Sequence, residues 1–183
     1  MKKILSLVVS LTVISGVCAA VLAYVDSVTK GPIAEMKVKQ EQAAVKAVMP
    51  AGVTSIQKSR NQTIEQSEQS NNEFFVGKDA AGKIVGYAAK GLDPKGYGGD
   101  IVLMVGFKAD KKTVECYKTL VATETPGLGM KLSAPEFAGQ FAGKDGSALK
   151  VKKDGGAIEA IASATITSRA VCRAIADAQK KLN

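Results

Sequence analysis

Residues 100–121 read DIVLMVGFKADKKTVECYKTLV, two apolar runs at 100–107 and 113–121 joined by the polar stretch KADKK. Each run has the length and the β-branched and aromatic content of a strand, and a five-residue connection predicts an antiparallel hairpin. Upstream, EFFVG at 73–77 and a second run at 83–89, separated by turn residues at 79–82, extend the hairpin to a four-strand meander. Residues 55–72 are rich in Gln, Ser and Asn and read as an exposed loop or a poorly packed strand. Downstream the pattern predicts a helical stretch near 130–141, a strand around 157–162 and a helix from about Thr167 to Lys181. That last helix has Val171, Ala174, Ile175 and Ala178 on one stripe. The expected fold is α+β, an antiparallel sheet with flanking helices.

Ahead of this region lie 22 uncharged positions, residues 4–25, ILSLVVSLTVISGVCAAVLAYV. As a helix they reach about 33 Å, enough for one transmembrane helix. Lys2 and Lys3 precede the stretch and Asp26 follows it, which predicts a cytoplasmic N-terminus and an extracytoplasmic domain at a cell membrane. A cleaved signal peptide competes, with Ala20 or Ala23 before the cut, although the apolar run is long for one. Gly31 and Pro32 then open a helical segment that Pro50 closes. The expected organisation is a transmembrane anchor over 1–25, a linking helix over 26–50 and a domain over 51–183.

Composition excludes several chemistries. The 25 Lys and Arg against 17 Asp and Glu give a formal charge of +8, but the basic residues are scattered and aromatics make up only 5%, so no nucleic-acid partner is expected. There is no histidine, which removes a Ser-His-Asp triad and any His-ligated zinc. Cys18, Cys116 and Cys172 form no C-x-x-C pair, so iron–sulfur and dithiol chemistry are not indicated and no metal site is expected. Any redox role must therefore rest on an organic cofactor. Cys116 and Cys172 read as two buried thiols in preference to a disulfide.

Two segments carry the chemistry. Residues 123–129, TETPGLG, follow a predicted strand, and their Pro and Gly residues set a tight, open backbone that a flat or anionic ligand can approach. Residues 162–168, ASATITS, are mostly small or hydroxylic and lead into the last helix. A helix start offers unpaired amides and a partial positive charge, which suits a phosphate, while a single hydroxyl from Thr165, Thr167 or Ser168 suffices to cap it. From the residues alone, phosphate binding and simple capping both stay open.

With Gly96-Tyr97-Gly98-Gly99-Asp100 and the N-terminal span, these two segments resemble the flavin-binding domain shared by the G subunit of the Rnf electron-transport complex and the C subunit of the sodium-translocating NADH:quinone reductase. The compact chain favours the Rnf side of that resemblance. It implies FMN esterified through its phosphate to Thr165 by a separate flavin transferase that uses FAD. It further implies cofactor contacts from Thr123, Glu124, Thr125, Gly127, Leu128, Lys131, Ser163, Ala164, Thr167 and Ser168, with Leu128 against the ring, Thr125 as a hydrogen-bond partner and Lys131 beside the phosphate. Glu159 occupies the acidic position of the transferase motif. Ala162 and Ser163 depart from the family's usual Ser or Thr and Gly, and Ala122 from its His. The implied role is an electron-transfer subunit in a ferredoxin:NAD oxidoreductase, partnered by other membrane subunits, by the transferase during maturation and by membrane lipid. The lack of any histidine base agrees with attachment by an external enzyme. A flavin module of another extracytoplasmic reductase and a flavin-free membrane adaptor are the rival functions.

Overall fold

The computed structural model describes residues 2–60 and 73–183. The chain divides into two compact units, one ending at Gln40 and one beginning at Glu41. The first unit is helical throughout, part of helix α1, Lys2–Val48. It is long and apolar enough to cross a membrane, and none of its most apolar window is buried within the protein. Leu7, Leu11, Val21 and Leu22 all face outward. Hydroxyls that would be costly in lipid bond back along the helix, Ser10 to the Ser6 carbonyl and Thr12 to that of Val8, both at 2.9 Å. Pro32 does not open a new helix: it lies inside α1. Its ring removes one ladder hydrogen bond, while the helix-forming Ala34, Glu35, Met36 and Lys37 that follow sustain the rest.

Among the described residues of the second unit the meander has five antiparallel strands in sequential order, β1 Ser55–Arg60, β2 Glu73–Lys78, β3 Ile84–Asp93, β4 Ile101–Lys108 and β5 Val114–Ala122. The expected four are present. The additional strand is the polar stretch at Ser55–Arg60, paired through its backbone with β2, while residues 61–72 of that stretch lie outside the described residues. Strand β4 is buried on both faces, which explains its unbroken apolar run. Leu103, Val105 and Phe107 pack with α3, Thr165–Lys180, in the larger core, and Met104 and Ala88 meet Ala44, Val45 and Val48 from the end of α1. A glycine seats each helix. A Cβ on Gly91 would lie 1.9 Å from the Ala174 carbonyl oxygen, and one on Gly106 would lie 1.8 Å from that of Val48.

Two expectations change. The stretch at 130–141 breaks into a tight turn at Gly129–Ser133, the single-turn helix α2, Pro135–Ala138, and another turn at Gly139–Phe141. Pro135 holds Ala134 extended at ψ 139° and so stops a continuous helix. The strand expected at 157–162 is reduced to one bridge between Ile158 and Val151. A side chain takes the place of a partner strand: Gln140 Oε1 accepts from the Glu159 N–H at 2.7 Å and Gln140 Nε2 donates to the Glu159 carbonyl at 3.3 Å. The thiols are free, Cys116 packed on the α1 side of the sheet and Cys172 on the α3 side. Burial pushes the Cys172 thiol up to about 11 and raises that of Cys116, so neither is poised as a thiolate.

Candidate functional site

The segment after β5 turns back at once. Pro126 and Gly127, with Gly127 at φ 76°, form a β-turn closed by the Leu128 N–H on the Thr125 carbonyl at 3.2 Å. That turn carries Glu124 inward. Although Glu124 is 7% exposed, its carboxylate reaches two distant segments. Oε1 accepts from the Tyr97 N–H at 2.9 Å and the Gly98 N–H at 3.5 Å, and Oε2 accepts from the Thr167 hydroxyl at 3.0 Å. Glycine is needed around it for space. A Cβ on Gly129 would lie 2.4 Å from Glu124 Oε2, and one on Gly98 would lie 1.6 Å from the Thr123 carbonyl oxygen.

The second segment reaches the same place from the other side. Ser163 has a left-handed backbone, φ 61°, and Ala164 is the N-cap of α3 without a side-chain cap. The helix begins two residues earlier than expected, so Thr165 is its first residue. The three hydroxyls then divide. Thr167 is spent on Glu124. Ser168, fully buried, accepts from the Ile161 N–H at 3.0 Å and donates to the Ala164 carbonyl at 2.9 Å. Thr165, half-buried, makes no side-chain hydrogen bond among the described residues, and the first amides of α3 have no intrahelical partner.

Between the segments lies a cavity of about 500 Å³, lined by Tyr97, Glu124, Thr125, Leu128, Gly129 and residues 163–167. Its walls thus bring together Glu124, Thr125, Leu128, Ser163, Ala164, Thr165 and Thr167. Four expected contacts fall elsewhere. Thr123 backs the loop at Gly98, Gly127 shapes the turn and Ser168 is buried beneath the helix start. Lys131 lines a neighbouring groove of about 350 Å³ with Glu159 and Ala162. Tyr97, Gly129 and Ile166 were not among the expected contacts. Gly129 and Ile166 lie within the two segments already singled out, and Tyr97 within the Gly-Tyr-Gly-Gly run, so the signal for each was in the sequence.

No Lys or Arg lines the cavity among the described residues. Arg169, one turn beyond Thr165, is committed to Asp154 through two bonds of 2.7 and 2.6 Å, and those bonds hold the Asp154 carboxyl below its ordinary value. An anion at the start of α3 would therefore be held by amides, hydroxyls and the helix dipole. The residues fit a flavin phosphate: an open hydroxyl at an uncapped helix start, glycine-backed walls, and a volume within the range of small-molecule sites.

This defines the class, a small α+β cofactor-binding domain preceded in sequence by an apolar helix, and residues 96–180 match the FMN-binding domain family. The chain is 30% identical to the G subunit of the ion-translocating oxidoreductase complex of Methanosarcina acetivorans over 95% of its own length and 92% of that protein's. It is 31% identical to the G subunit of the Na(+)-translocating ferredoxin:NAD(+) oxidoreductase complex of Acetobacterium woodii, covering 93% and 87% of the two chains. Among solved structures, NqrC of Shewanella oneidensis shares the fold with a TM-score of 0.51 and 22% identity, over 75% of this chain and 66% of that one. The chain belongs to the family formed by the G subunits of ion-translocating oxidoreductase complexes, and is a redox subunit.

Proposed function

We propose that this chain is a single-pass membrane electron-transfer subunit that carries FMN covalently, through the phosphate, on Thr165, within an ion-translocating ferredoxin:NAD oxidoreductase. The supporting observation is the hydroxyl of Thr165, without a hydrogen-bond partner among the described residues, at the start of α3 and in the cavity lining. When bound, FMN supplies reversible uptake and release of electrons. The residues supply the rest. Thr165 anchors the phosphate, the first amides of α3 receive its charge, Thr125 offers a hydrogen bond, and Leu128 and Tyr97 give apolar contact. In the attachment step Thr165 Oγ1 bonds to the FMN phosphorus of FAD, the phosphoanhydride breaks and AMP leaves. The hydroxyl proton passes to a base of the transferase, because this chain has no histidine.

Residues 1–25 form the anchor and 26–50 the link, both carried by α1 as far as Val48, and 51–183 form the flavin domain, with Lys2 and Lys3 on the cytoplasmic side and the domain outside. Its partners are the other membrane subunits of the complex, the transferase during maturation, and lipid. The test is ultraviolet fluorescence of the band after denaturing electrophoresis, from cells that contain an active flavin transferase. The wild-type band is expected to fluoresce and Thr165→Val to be dark. A dark wild-type band would overturn covalent flavin, and a fluorescent Thr165→Val band would overturn the attachment site.

A further inference from the structure

Among the described residues Glu124 is the one carboxylate in the cavity wall, and it is buried. Both its oxygens act as acceptors, from the Tyr97 and Gly98 N–H groups and from the Thr167 hydroxyl, the pattern of a carboxylate anion. Neutral donors stabilise such a charge without cancelling it. Among the described residues no Lys or Arg makes an ion pair with it. Gly96, Gly98 and Gly129 close around the carboxylate, leaving no room for a basic side chain to enter from those backbones. A fixed negative charge is therefore built into the wall of a partly enclosed cavity, where the effective dielectric is low and Coulomb interactions are strong.

We propose that Glu124 is a positioning residue that also sets the reduction potential of the FMN in this cavity, its charge holding that potential more negative than a neutral wall would. This rests on the flavin reading above. An electron added beside a fixed carboxylate meets repulsion, so the reduced group loses its electrons more readily here than it would beside a neutral wall. The fixed charge at Glu124 and the partial positive charge at the start of α3 then act in opposite directions, the first on the electron count and the second on the phosphate.

The test is a spectroelectrochemical titration of the full chain, produced with a flavin transferase and purified in detergent. Glu124→Gln, which keeps shape and loses charge, is expected to move the midpoint positive. Glu124→Asp, which keeps the charge, is expected to stay nearer the wild type. An unchanged or more negative midpoint in Glu124→Gln overturns the proposal, as does Glu124→Asp moving with Glu124→Gln. Should Glu124→Gln fail to fold, Thr167→Val decides. It retains the carboxylate and removes one of its donors, whose dipole offsets part of the field in the cavity, so at a pH where the carboxylate stays ionised its midpoint is expected to move negative, and an unchanged or more positive value there overturns the proposal. A wild-type chain without flavin defeats both readings, whereas a loaded wild type beside an immobile Glu124→Gln midpoint defeats this one alone.

Discussion

The segments 123–129 and 162–168 both contribute walls to one cavity, through Glu124, Thr125, Leu128 and Gly129 and through residues 163–167, but they are held by different means. The first is fixed from several directions: a Pro-Gly turn closes it, Glu124 is bonded to backbone 27 residues away and to a hydroxyl 43 residues away, and the Gly98 backbone lies against Thr123. The second segment contains a serine in a left-handed conformation, a helix without a side-chain cap, and a threonine hydroxyl with no partner among the described residues. A wall that only shapes a site gains from every bond it can make. A hydroxyl that a separate enzyme must reach has to keep its bonding capacity open, and the proposed attachment at Thr165 accounts for the looser construction of the second wall.

The largest expected effect comes from breaking the tight wall. Gly98→Ala would place a Cβ 1.6 Å from the Thr123 carbonyl oxygen, backbone against backbone, so neither side chain nor rotamer can give way. The cost should be about 3 kcal/mol. In a chain of this size that corresponds to a fall in Tm of about 10 °C, read by thermal unfolding in detergent. An unchanged Tm would mean that the 96–99 loop is not pinned against residue 123, and the contrast between the walls would lose its firmer side.

Next in size is Thr167→Val, which cuts the bond joining the two walls. Removing the hydroxyl leaves Glu124 Oε2 without its 3.0 Å donor in a buried place, a loss of about 1–3 kcal/mol in denaturant unfolding. Combined with Glu124→Gln in a double-mutant cycle, it should show a coupling of about 1 kcal/mol. Additive effects would mean that the walls are stabilised independently.

The tight wall is the less legible of the two in the sequence. TETPGLG announces a turn beside a ligand, but it offers Glu124 only as a cofactor contact. The bonds of Glu124 to Tyr97, Gly98 and Thr167 span separations that no local pattern encodes. The helix start is legible as a cluster of hydroxyls. Their division of labour is not, because it depends on Glu124, 43 residues from Thr167, and on the Ile161 N–H that Ser168 receives. The strands β2 to β5 follow from alternation and turn residues. Strand β1 carries few apolar side chains and is held by backbone pairing, so its composition resembles a loop. The resemblance puts Lys131 at the phosphate, yet the turn at Gly129–Ser133 carries it into the neighbouring groove.

The smallest expected effect tests the looser wall. Ser163 sits at φ 61°, where an L-residue is disfavoured by about 1–2 kcal/mol. Glycine relieves that cost but loses more chain entropy on folding, by about 0.5–1 kcal/mol, so Ser163→Gly should gain between about 0 and 1.5 kcal/mol. Ser163→Val should lose stability, because a β-branched residue fits that conformation worst. The glycine that the resemblance implies at this position is one that the backbone alone would favour, without reference to the flavin. Denaturant unfolding of both variants separates two accounts of the serine. Gly more stable than Ser, with Val less stable than both, locates the constraint in the backbone. A loss with Gly would instead mean that the Ser163 hydroxyl contributes more to the wall than its backbone costs, and that the second segment is held more firmly than its hydrogen bonds indicate.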